Sequence, residues 1–142
     1  MKTRRGKERG ATLVEFAFAA LAVLTALFAV LEVGRLMMSY VTIAEAARAG
    51  VRYAIVNGAN IAGSVAAKQA AVKVVVQDVG TAAGLTLTIP DPVYTKCATC
   101  STVQDVSSIV TVTVSYTFVP VVPLVSALGI TMTSTSQGFI CY

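Results

Sequence analysis

The chain has no histidine and no tryptophan. Without an imidazole there is no Ser-His-Asp or Cys-His couple and no metal site with a histidine ligand. Charge is scarce as well: 13% of residues are Asp, Glu, Lys or Arg, about half the share usual in soluble domains. A chain so poor in charge either meets a membrane or stays unfolded. Its many Val and Leu residues remove the second option. What is present is apolar bulk, 56% of residues, with a mean hydropathy of +0.76. The 142 residues suit one domain.

The few charges are unevenly placed. Residues 1–10 hold Lys2, Arg4, Arg5, Lys7 and Arg9 against Glu8. Beyond Gly10 six cations balance six acids, so the whole net charge of +4 lies in the first ten residues. A nucleic-acid binder carries its basic patch on the folded body. The body here is neutral, which excludes nucleic acid as a partner. A basic head before an apolar run instead stays on the cytoplasmic side while the rest crosses the bilayer.

Residues 11–31 contain one charge, Glu15, and neither Pro nor Gly. As a helix this run reaches about 30 Å, the thickness of a bilayer's hydrocarbon. Its apolar character goes all the way round, unlike the single stripe of a soluble helix. A removable secretory signal needs a small-x-small site close behind. Residues 32–38 (EVGRLMM) offer none, and Ala44-Glu45-Ala46 comes late. The run reads as a retained anchor and the bilayer as its surroundings.

Glu15 is the anomaly. A carboxylate within an apolar span costs a few kcal/mol and calls for a partner, unless it lies shallow among the headgroups. Gly10-Ala11 suits proteolysis, because Gly lets an extended backbone approach a protease closely. A cut there creates an amine on Ala11. Glu15 lies four residues on, one turn away on the same helical face, where the helix dipole also favours a carboxylate.

At these residues the chain resembles the prepilin family. The pattern is a short basic leader ending in Gly, then an apolar segment with Glu at its fifth position: Arg9-Gly10, then Ala11-Thr12-Leu13-Val14-Glu15-Phe16. A narrower likeness is to the TadE family, minor pseudopilins of the tight-adherence (Flp) pilus system. It rests on Arg9-Gly10-Ala11, Val14-Glu15-Phe16-Ala17, Glu32-Val33-Gly34-Arg35 and Ala46-Ala47-Arg48-Ala49-Gly50-Val51-Arg52-Tyr53-Ala54. Many members have an acid where Ala49 stands.

The resemblance implies that a prepilin peptidase removes residues 1–10 on the cytoplasmic side. Residues 11–31 then form the transmembrane and assembly helix. The mature subunit sits once through the inner (cytoplasmic) membrane, its head outside the cytoplasm. Its implied partners are a major Flp-type pilin, other minor pseudopilins and the inner-membrane assembly platform. Pairing of the new amine with Glu15 of a neighbour would lower the cost of both charges and set the subunit register.

The helix is expected to continue through residues 32–56 and pack on the head. Glu32/Arg35 and Glu45/Arg48 are i,i+3 pairs, each contributing about 0.2–0.5 kcal/mol at an exposed surface. Arg48 and Arg52 lie one turn apart, either within reach of Glu45, with a solvated face as their simplest fate. Val33, Leu36, Met37, Tyr40, Ala44, Ala47 and Val51 recur at helical spacing and read as the core-facing stripe. Asn57-Gly58 marks the stop.

Residues 57–142 read as an α+β head. Ser64 caps a second helix over 65–79, with Val65, Gln69, Val72, Val76 and Val79 on one face and Gly80 and Gly84 at its exit. The β-branched residues 74–76 leave a strand there as an alternative. Residues 85–89 alternate as a strand. Val110, Val112, Val114, Tyr116 and Phe118 alternate with Thr111, Thr113, Ser115 and Thr117, as in a half-buried antiparallel strand. Pro120 and Pro123 end that strand, residues 124–128 form a helical turn, and 130–140 form the last strand. The whole is a long helix with a small head, the plan of pilin-like proteins.

Cys97, Cys100 and Cys141 with no His are too few ligands for a zinc site. In an exported body they read as a structural disulfide. All three pairings are open. A bond from the loop to Cys141 closes a ring of about 40 residues and contributes about 3–4 kcal/mol on the chain-entropy view. Cys97–Cys100 contributes less, and one thiol is left over in every case. No phosphate loop, nucleotide fingerprint or close carboxylate pair is present. Ser64 and Lys68 share a helical face, which a cap and a surface lysine explain. The chain therefore reads as the substrate of an enzyme rather than an enzyme, with no cofactor and no metal. The competing reading is a single-pass, membrane-anchored extracytoplasmic binding or sensing module with an uncut N-terminus.

Overall fold

A computed structural model describes residues 5–57, 64–96, 108–121 and 129–140. The first element, α1, runs Arg5–Asn57 without a break. It therefore takes in the end of the basic N-terminal segment as well as the apolar run, and it ends at the Asn-Gly stop. At about 1.5 Å per residue a helix of this length is close to 80 Å long, far beyond the width of a small domain. Its N-terminal half projects bare, and its C-terminal half carries the head.

The second helix, α2, runs Val65–Ala82. Residues 74–76 are helical throughout, so the strand alternative there does not hold. Ser64 stands at the N-cap with extended backbone but makes no side-chain cap bond. Its carbonyl instead accepts the amides of Ala67 and Lys68 at 3.0 and 3.3 Å. Gly80 is buried inside the helix rather than at its exit. The exit is Gly84, at φ +71°. Its amide bonds the Thr81 carbonyl at 2.9 Å, and the Leu85 amide bonds the Gly80 carbonyl at 2.9 Å. This left-handed closing turn satisfies the orphan carbonyls of the last helical turn.

Three strands follow: β1 (Val93–Thr95), β2 (Ile109–Phe118) and β3 (Ile130–Phe139). They form an antiparallel sheet in the order β1-β2-β3. Val110, Val112, Val114 and Phe118 face inward and are buried. The opposite face carries cross-strand Thr113/Thr135, Ser115/Thr133 and Thr117/Thr131 contacts at 3.2–3.4 Å. The period-two alternation of β2 thus decides which face meets the helices.

One sequence expectation fails in the sheet. Residues 85–89 contribute only an isolated bridge, Thr88 to Ser115, and the short β1 replaces them at the other end of β2, opposite Ile109–Thr111. Pro90 and Pro92 stand between. Having no N–H, they cannot continue a ladder, and the edge of β2 is shared by two short pieces. The turn expected at 124–128 and all three cysteines lie outside the described residues.

The stripe on α1 holds in part: Ala47 and Val51 are buried as expected, and the rest differs. Val33, Met37 and Tyr40 are exposed, and Leu36 and Ala44 are half-buried. The buried side is Ser39, Ile43, Ala46, Ala47, Gly50, Val51 and Ala54. Hydropathy ranks the large side chains first, but close approach of α2 and the sheet selects small ones. A Cβ on Gly50 would stand 2.5 Å from Val76 Cγ2 and 3.3 Å from Val112 Cγ1. Gly50 is therefore where α2, α1 and β2 converge. The architecture is α+β, a small head laid along one long helix in a pilin-like layout.

Candidate functional site

The first site is the projecting half of α1. Its most apolar stretch has a mean hydropathy of 2.4, with none of that stretch buried inside the chain. Leu13, Phe16, Phe18, Leu21, Leu27 and Phe28 all stand more than half exposed. Water would oppose such a surface, whereas a bilayer matches it. By length and composition this helix is able to cross a membrane.

Gly10, Ala11, Glu15 and Phe16 are all exposed on this half. Ala11 and Glu15 are one turn apart within α1. Glu15 has no ion pair among the described residues. Its carboxylate thus stands exposed on an otherwise apolar stretch of helix, one turn beyond Ala11. A Cβ on Gly10 would meet nothing within 4 Å, so packing does not hold this residue to glycine. The small-x-small sequence at Ala44–Ala46 lies mid-helix with Ala46 fully buried, a poor place for a peptidase.

The second site joins the projecting half to the head. Arg35 Nη1 donates to both Glu32 oxygens, at 3.0 and 3.2 Å. Glu32 Oε1 also accepts the backbone amide of Val121 at 2.9 Å. The Arg35 guanidinium lies 5.2 Å from the centre of the Phe118 ring, within cation–π range. The Glu32 side chain is only 18% exposed. The pair expected as a plain surface bridge is thus a three-way clamp that fastens the end of β2 to α1. Its third member lies 89 residues away, and no local pattern marks it.

The other cations are simpler. Arg48 Nη1 meets Glu45 Oε1 at 2.7 Å with both side chains well exposed. Arg52 is exposed, without an ion pair among the described residues. Lys68 corrects the sequence reading, because it is buried rather than on the surface. Its neighbour in the fold, Gln69, donates to the Pro92 carbonyl at 2.9 Å, and Lys73 pairs with Asp91. These contacts tie α2 to the approach to β1. Burial pushes the half-buried Tyr94 phenol above its ordinary value of 10.0.

Sequence reasoning passed over Gly50 as a contact point. The available signal was a glycine inside a helical pattern, which often marks close approach. The stretch Ala46 to Ala54 is the surface on which the head is built.

Residues 10–52 match the family model described as TadE-like protein. The match opens at Gly10 and takes in Glu15, the Glu32/Arg35 pair and most of the small-residue stripe. No curated protein and no solved structure matches the chain.

Proposed function

With residues 10–52 matching the TadE-like family as the premise, we propose that the chain is a minor pseudopilin of a tight-adherence (Flp-type) pilus system. The observation that carries this reading is Glu15, the one charge in a span otherwise bare of them. A prepilin peptidase cuts Gly10-Ala11 on the cytoplasmic side. Peptidases bind extended chain, and α1 is helical through this point. Gly10 lowers the cost of unwinding by about 1 kcal/mol relative to Ala.

The cut leaves an ammonium on Ala11 and a carboxylate on Glu15, both in hydrocarbon. Within one chain or between two, their pairing relieves a desolvation cost that neither bears alone. Between subunits it fixes the axial register of neighbouring helices. The bare side of α1 then packs against the helices of a major Flp-type pilin and other minor pseudopilins on the inner-membrane assembly platform. The head stays outside the cytoplasm. The subunit is assembled rather than catalytic, and it needs no cofactor or metal. It serves surface attachment by organising the fibre.

The test is Glu15→Leu in cells carrying the peptidase and the rest of the apparatus. Assembly of fibres is expected to fall sharply while the protein stays in the membrane. Undiminished fibres would instead favour a tethered envelope module with an uncut N-terminus.

A further inference from the structure

The clamp at Glu32 places one end of the head at a defined depth. Residue 31 is the last of the uncharged run, and Glu32 follows it directly. The Val121 amide is bonded to Glu32 at 2.9 Å. The chain leaving β2 therefore lies level with the end of the span. At this end Val121 is 72% exposed, Val119 55% and Ile130 43%. On α1, at the same level, Val30, Leu31 and Val33 are exposed too. No charged residue occurs anywhere in 106–142. Among the described residues the charged group here is the Arg35–Glu32 pair, which is internally neutralised.

Resting on the reading of α1 as a membrane span, we infer that this end of the head is a second membrane contact: Val119 and Val121 seat in the headgroup–acyl boundary of the extracytoplasmic leaflet. Continuity with the span selects lipid as the occupant, since both surfaces are apolar, uncharged and at one level. An interfacial contact of this kind draws its strength from buried apolar area. The clamp gives it a mechanical role. Lipid holds the tip and Glu32 holds the strand, so the head keeps one tilt relative to the bilayer.

The chain has no tryptophan, so each engineered Trp reports alone. The full chain, with Val121→Trp, Leu24→Trp or Gln137→Trp, is reconstituted in phosphatidylcholine vesicles with and without brominated acyl chains. Gln137 is exposed at the far end of the sheet, paired with Thr111. The expected result is blue-shifted emission from Val121→Trp. It is quenched by bromolipid several-fold more than Gln137→Trp and shielded from acrylamide. Val119→Trp is expected to behave alike, which guards against a local fault at Val121. Leu24→Trp separates the two premises. If it is quenched while Trp at 119 and 121 behaves like Trp at 137, the tip is in water or under a protein and the inference falls alone. If Leu24→Trp itself escapes quenching, the span and the inference fall together.

Discussion

If α1 spans a bilayer, a lone carboxylate in it is unfavourable by a few kcal/mol, so Glu15 is the residue whose chemistry most needs a partner. It was legible because it breaks an otherwise uniform run, and Gly10 because it ends the basic segment. Lys68 and the Glu32–Val121 bond were not legible. Burial of the first is set by the neighbours of α2, and the second joins residues 89 apart. Tyr94 gives a prediction at this scale. Burial raises its phenol above 10.0, so above that pH the folded head holds a proton that the unfolded chain releases. Stability is full below pH 10 and falls as pH rises through the raised folded value. Thermal unfolding of Tyr94→Phe is expected to lose that part of the alkaline decline. An unchanged pH profile would show that burial does not govern this group.

Among the elements, α1 does two jobs with one continuous helix, and the division shows in side-chain size. Its projecting half is lined with Leu, Val and Phe. Its head-bearing half buries Ala46, Ala47, Gly50 and Ala54. The helix itself, its stop and the alternation of β2 were readable from period and composition. The facing direction of α1 was legible only in part: Ala47 and Val51 are in the core as the stripe implies, but Met37 and Tyr40 are exposed and the close approach at Gly50 has no hydropathy signal. Gly50→Val overfills the junction with Val76 and Val112 and is expected to destabilise the head by about 1–3 kcal/mol, measured by chemical denaturation. Equal stability would mean that the three elements part there without cost. Glu32→Ala removes the acceptor of the Val121 amide. Hydrogen exchange at that amide is expected to accelerate, with amides in the middle of β2 unaffected. Continued protection at Val121 would show that the clamp does not hold the strand end.

For the molecule as a whole, the decisive feature is the separation of charge from apolar surface. The net positive charge lies before Ala11, the bare helix follows, and a neutral head closes the chain. That order was legible from composition, and the TadE-like match over residues 10–52 falls on the helix. The head's sheet was only half legible. Long alternating strands declare themselves, while β1 has three residues and depends on the edge left open by Pro90 and Pro92. The central claim is that the leader is removed and its loss gives Glu15 a cation to meet. Intact-mass measurement of the protein extracted from membranes of peptidase-bearing cells tests it most directly. The account predicts a mature chain that begins at Ala11. A chain that still begins at Met1 in those cells would contradict it.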